Sequence, residues 1–196
     1  MRALICLGLT LAVSLLHAEE IKSSDNVVVP GKRIGLITPG MSLADLVKAY
    51  GKKNVKDGEL DGPEGSTMPG ARLFAGTERE LEVVWDENGK TVRLVRIMGS
   101  AWTFENGLKA GMSVEEVEKI NGKPFKIFGW GWDYGGSAII EEGELSGKVM
   151  LSFDPGSDEI PDGLVGEVEL SSTDPKVRTL KPVVSSPITL FLGKAE

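Results

Sequence analysis

The chain is 196 residues long, 41% hydrophobic and 26% charged, and its 29 acidic against 22 basic side chains give a formal charge of −7. A surface this acidic is repelled by phosphate backbones and anionic lipid, which argues against nucleic-acid and membrane-surface binding. Hydrophobic content and scattered charge are those of an ordinary soluble globular protein.

Met1 and Arg2 precede a mostly apolar run, Ala3 to Leu16, and then Leu16-His17-Ala18 meets the acidic pair Glu19-Glu20. The run is shorter than the ~20 residues a membrane span needs, so residues 1–18 are expected to be a secretory signal peptide cut after Ala18. Cleavage would remove Cys6 and His17, the one cysteine and the one histidine of the chain. Cys6 lies inside the apolar run rather than directly after the cut, so no lipid anchor is indicated. The expected location is periplasmic or secreted, with no membrane insertion after cleavage. An exported chain without cysteine cannot use disulfides and must rely on a packed core. Residues 19–26 are expected to be a disordered leader.

The phrase PGMSLADLVKAYGK, Pro39 to Lys52, returns 71 positions later as AGMSVEEVEKINGK, Ala110 to Lys123. In each copy a serine, Ser42 or Ser113, precedes an apolar-periodic stretch, with Asp45 or Glu116 three residues on, the signature of a capped helix start. Leu43, Leu46, Val47 and Tyr50 follow the spacing of one buried helix face, and Val114, Val117 and Ile120 do so roughly. Gly51 and Gly122 are suited to left-handed termination.

Strands are predicted after each helix. In the first half these are Leu73-Phe74, Glu80 to Trp85 and Thr91 to Ile97, with a turn at Asp86-Glu87-Asn88-Gly89, and Lys53 to Gly70 is read as a polar, glycine-rich connection. In the second half they are Ala138 to Ile140, Lys148 to Phe153 and Leu164 to Leu170, with the last hairpin loop enlarged to Asp154–Gly163. Beyond Ser171 the chain is rich in Ser, Thr, Pro and Lys, and Ile188 to Leu192 is read as a strand returning to an open sheet edge. The expected organisation is a first α+β repeat at 27–100, a second at 101–172, and a C-terminal tail at 173–196.

Gly40-Met41-Ser42 and Gly111-Met112-Ser113, each followed by an amphipathic helix, Gly-Lys and antiparallel strands, resemble a broad exported superfamily. It includes the β-lactamase inhibitor protein and the small accessory lipoprotein of outer-membrane β-barrel assembly. Gly122-Lys123-Pro124 matches its hallmark phrase, and the inhibitor protein is similar in being a tandem of such units. The segment Phe128-Gly-Trp-Gly-Trp-Asp-Tyr-Gly-Gly136 also looks like a stretch of uncharacterised bacterial exported proteins with this two-unit layout. The resemblance implies an α+β, β-lactamase-inhibitor-protein-like fold, two tandem copies of a helix packed on a small antiparallel sheet, and says far less about function.

A mature chain without histidine or thiol has no Ser-His-Asp or Cys-His nucleophilic system and no thiolate or imidazole zinc site. No Gly-x-Ser-x-Gly, Ser-x-x-Lys or phosphate-loop motif occurs. Two acidic clusters remain, Asp57, Glu59, Asp61 and Glu64, and Asp154, Asp158, Glu159 and Asp162. Their spacing matches no calcium loop, and glycine-proline-acid stretches are ordinary in solvated turns. Trp130, Trp132, Asp133 and Tyr134 form the candidate recognition surface, as large aromatics in a glycine loop supply contact area at small entropy loss. The competing reading is that they close the core. Trp85 is expected in the core and Trp102 at the junction of the two halves. No catalytic residue, cofactor or metal site is assigned. The leading expectation is a non-catalytic protein-binding or envelope-accessory module whose partner is a protein of the cell envelope. The alternative is a glycan-binding or carboxylate-dependent glycan-active protein.

Overall fold

The computed structural model describes residues 25–192; the expected signal peptide and all but the last two residues of the expected leader lie outside them. The described chain is mixed α+β, with few helices and several small antiparallel sheets. In the first half it runs β1 (Val27–Val29), β2 (Arg33–Ile34), α1 (Leu43–Tyr50), β3 (Val55–Asp61), β4 (Thr67–Leu73), β5 (Leu81–Trp85) and β6 (Val92–Ile97). Then follow β7 (Thr103–Phe104), α2 (Val114–Asn121), β8 (Lys126–Phe128), β9 (Ala138–Ile139), β10 (Val149–Met150), β11 (Phe153–Asp154) and β12 (Glu169–Ser171). The chain closes with α3 (Pro175–Leu180), β13 (Val183–Val184) and β14 (Ile188–Phe191).

Both long helices start as their sequences dictate. The Ser42 hydroxyl accepts from the Asp45 amide at 3.3 Å and the Asp45 carboxylate accepts from the Ser42 amide at 2.9 Å. Ser113 and Glu116 repeat this at 3.3 and 2.8 Å. Reciprocal caps satisfy amides that the first helical turn leaves without partners. Gly122 ends α2 in the left-handed conformation, whereas Gly51 ends α1 at positive φ but extended ψ and leads straight into a 3-10 turn, Lys52–Asn54. Leu46 and Tyr50 are buried on α1, and the Tyr50 hydroxyl accepts from the Leu36 amide at 2.8 Å. Burial pushes that phenol's pKa up.

The segment Lys53–Gly70, read from its polarity as a connection, is instead β3 and the first part of β4, paired from Val55↔Leu73 to Asp61↔Thr67. β3 is an edge strand, and Lys56, Asp57, Glu59 and Asp61 are exposed along it. Charge on an edge strand blocks further pairing, and it also hides the strand from hydrophobic patterning. Six strands form the main sheet, in the order β10-β14-β6-β5-β4-β3. Its inner face buries Leu73, Leu81, Val83, Val95, Ile97, Ile188 and Leu190 in the core.

The second half departs from the strand assignment made for it. Strand β11 pairs with β13, Phe153↔Val184, and not with residues 164–170. Strand β12 lies on the far side of β8, Leu170↔Ile127, so 154–163 is not a hairpin loop. The Ser/Thr/Pro-rich stretch after Ser171 contains α3, whose Val177 is fully buried, and β13. Arg178 of α3 binds the Glu118 carboxylate on α2 at 2.6 Å. Glu118 also accepts from Ser172, which clamps this stretch onto α2. The final strand β14 sits between β6 and β10, and so joins the two halves in one sheet.

The outer face of the main sheet carries a buried carboxylate. Glu82 is 4% exposed and accepts from Arg72 and Arg96, each at 2.9 Å. In register Arg96 faces Glu82, which faces Arg72. Arg96 also donates to the Asp61 carbonyl at 2.9 Å, and Arg72 lies 3.9 Å from the Asp61 carboxylate. In a straight hairpin Asp61 would stand roughly 17 Å along the strand from that level, more than twice the reach of an arginine. The β3–β4 hairpin therefore curls back over the outer face. At the glycine pair Gly58↔Gly70 the approach is close: a Cβ on Gly70 would meet Leu60 and the Val83 carbonyl at 2.4 Å. Leu60 folds into that space and is 2% exposed.

Two outcomes follow from these contacts. A chain ending before Ile188 leaves the edges of β6 and β10 open and uncovers the core at Ile188, Leu190 and Leu192; size-exclusion chromatography is expected to show aggregation, and urea titration the loss of a cooperative transition. The Ser42 hydroxyl and amide hold the Asp45 carboxyl below its ordinary value. Its contribution is then present above the unfolded-state pKa of about 3.9 and lost as pH falls through the lower folded value. Thermal melts followed by circular dichroism between about pH 6 and about pH 2 should show a smaller acid-induced drop for Asp45→Asn than for the native chain.

Candidate functional site

Four residues were singled out in the aromatic segment, and the fold separates them. Trp130 is 4% exposed, and its indole N–H donates to the Phe153 carbonyl at 2.8 Å. It closes the core of the second half, so its assignment to a recognition surface is corrected: a buried indole with its one donor satisfied presents nothing to a partner. Gly136 makes this packing possible at φ +77°, since a Cβ there would lie 2.3 Å from the Phe153 carbonyl and 2.7 Å from the Trp130 nitrogen.

The other three lie at the surface. Trp132 is half-buried, with its indole N–H donating to the Gly129 carbonyl at 2.7 Å. Its ring meets Phe128 edge-on at 5.4 Å and Tyr134 at 5.3 Å, so three rings form a ladder of edge-to-face contacts. Such contacts fix ring orientation beyond simple burial. Tyr134 is 49% exposed and Asp133 is exposed. Val165 and Val168, at 45% and 38%, flank the same loop: a Cβ on Gly131 or Gly129 would touch them at 3.1 and 2.7 Å. Three of the five large hydrophobic residues left exposed among the described residues thus border residues 128–136.

Opposite the loop stands the tip of the curled β3–β4 hairpin. Pro63 and Glu64 from the tip, with Asp133 and Tyr134 from the loop, line a notch of about 270 Å³. Glu64 holds φ +54°, an uncommon conformation for a residue with a side chain. Sequence reading placed Glu64 in one acidic cluster and Asp133 in the aromatic motif, with nothing to connect them. The hairpin's fold-back brings them together.

The remaining acidic residues do not converge in this way. Asp57 accepts from the Trp85 indole at 3.4 Å along edge strand β3. Asp154 caps a turn at Gly156 at 2.8 Å, and Asp158, Glu159 and Asp162 are exposed on the loop that follows. Among the described residues no group of three or more His, Cys, Asp or Glu side chains is placed to hold a metal ion. Trp85 and Trp102 are both buried, at 7%. The Trp102 indole donates to the Arg79 carbonyl at 3.1 Å between the halves.

No protein-family model matches the chain, and no curated protein sequence does. Among solved structures the chain is similar to the uncharacterized protein yfeY from Escherichia coli, at 16% identity and a TM-score of 0.46, over 84% of this chain and 98% of that one.

Trp130 and Tyr134 should differ in the same test, as their surroundings differ. Trp130→Ala is expected to cost about 3–5 kcal/mol in urea unfolding, as a large ring is lost from a packed interior. Tyr134→Ala, at the exposed end of the ladder, should cost about 0.5 kcal/mol or less.

Proposed function

We propose that the protein is an exported, non-catalytic binding module of the cell envelope, built from two copies of one α+β unit in the manner of the β-lactamase inhibitor protein. Export rests on residues 1–18, and the absence of catalytic assignment rests on a mature chain without histidine or cysteine. No helix among the described residues is long and apolar enough to cross a membrane.

Support for the tandem comes from matching backbone bonds. The Met41 carbonyl, just before the α1 cap, accepts from Val92 on β6 at 2.9 Å. The Met112 carbonyl, just before the α2 cap, accepts from Val184 on β13 at 2.8 Å. The strand following each helix pairs antiparallel with its successor, β3 with β4 and β8 with β9. β5 pairs with β6 as β11 pairs with β13. On this reading residues 155–182, with β12 and α3, are an insertion where the first unit has only the turn at 86–91.

The observation that carries the binding function is the surface ladder Phe128, Trp132 and Tyr134 with the exposed Val165 and Val168 beside it. Apolar side chains left in contact with water at one place are a common mark of a protein-binding surface. The ladder's fixed geometry reduces the ordering cost of docking. Periplasmic extract passed over the immobilised native protein and over a Trp132→Ala/Tyr134→Ala variant tests it. Proteins retained by the native chain should be lost from the variant; equal recovery would remove the aromatic surface from the function.

A further inference from the structure

We infer that the notch between the hairpin tip and the aromatic loop receives a single arginine or lysine side chain of a polypeptide partner seated on the ladder. The inference rests on the partner-binding reading above and adds the chemistry of the partner. Glu64 and Asp133 both line this one notch, and neither side chain has a hydrogen-bond or ion-pair partner among the described residues. Other carboxylates nearby are already engaged. Asp61 lies beside Arg72, Glu82 is held by two arginines, and Glu169 takes Lys126 at 2.6 Å.

The third component is Tyr134. It lines the same notch, and 49% of the residue is exposed. An aromatic face with anionic groups beside it attracts a guanidinium or ammonium through both the ring quadrupole and direct charge. An anionic group would be repelled by both. The volume, about 270 Å³, lies below the roughly 300–1,000 Å³ of clefts that enclose small organic ligands. It suits one side chain presented from a larger molecule. The apolar surroundings, with Trp132, Val165 and Val168 beside the loop, are what the rest of a polypeptide would cover.

The notch is also held in shape before any partner arrives. The hairpin tip is tied down by Arg96 on the Asp61 carbonyl, and the loop wall by the edge contacts of Trp132 with Phe128 and Tyr134. Preorganised walls spare the binding step the entropy of ordering them. The net charge of −7 adds a long-range attraction for a basic partner, strongest at low salt.

The test uses a fluorescein-labelled peptide of alternating arginine and leucine, with its glutamate-leucine counterpart as control, read by anisotropy. The native chain should bind the arginine peptide in preference, more weakly as salt rises. Glu64→Gln, Asp133→Asn and Tyr134→Ala should each weaken binding roughly three- to fivefold, while Tyr134→Phe retains it. All are surface changes, and circular dichroism melts confirm that the variants fold. Equal binding of both peptides, or native affinity in the Glu64→Gln/Asp133→Asn double variant, would overturn the inference. Partner capture separates the two readings. If the carboxylate variant keeps envelope partners that Trp132→Ala/Tyr134→Ala loses, docking stands and the cation pocket falls. If both variants keep them, the docking reading itself fails.

Discussion

Backbone hydrogen bonding by four residues at the end of the chain holds this structure together. Strand β6 closes the first half and β10 lies in the second, and each offers an unpaired edge until β14 enters between them. Ile188↔Ile97 through Phe191↔Leu94 on one side, and Val149↔Leu190 on the other, attach β10 of the second half to the β6-β5-β4-β3 sheet of the first. Open edges are sites of unwanted pairing, so a strand that satisfies two at once removes a liability while it joins the two halves of the chain. Its side chains make the core continuous as well. Ile188, Leu190 and Leu192 belong to the same buried cluster as Val28 near the start and Trp102 and Phe104 at the junction.

That joining sets what the surface can present. The β3–β4 hairpin is long enough to curl, Gly70 leaves the space that Leu60 fills, and the Arg72–Glu82–Arg96 group holds the tip down. A carboxylate buried between two guanidiniums does little for stability compared with an apolar replacement, but it strongly disfavours arrangements that leave it unpaired. The clamp thus acts as a selector of geometry, and the geometry it selects puts Pro63 and Glu64 beside Asp133 and Tyr134. A surface assembled from residues about seventy positions apart, on elements that are themselves packed, can be stiff without being part of the core.

Legibility in the sequence followed the range of the forces involved. Both capping boxes could be named from Ser42, Asp45, Ser113 and Glu116, since a cap is a contract among residues three positions apart. Strands β5 and β6 were visible through alternating apolar residues. Strand β3 was not: its exposed charges look like a loop to any reading based on hydrophobic period. The pairing of β12 with β8 is not legible locally, because adjacency in sequence is only a guide to adjacency in a sheet. The segment from 155 to 182 places β12 against β8 and α3 against α2 before the chain returns as β13. Trp130 and Trp132 are two residues apart with glycine between them, and no local signal tells which one turns inward.

From the residues alone came the duplicated helix starts, the mixed α and β character and the acidic balance, since these depend on local hydrogen bonding, side-chain period and composition. Only the tertiary structure decided that β14 lies between the halves, that Trp130 is interior while Trp132 and Tyr134 are not, and that Glu64 faces the aromatic loop. Each of these depends on contacts between residues far apart in the chain, where burial and strand register, and not local preference, determine which partner a group meets.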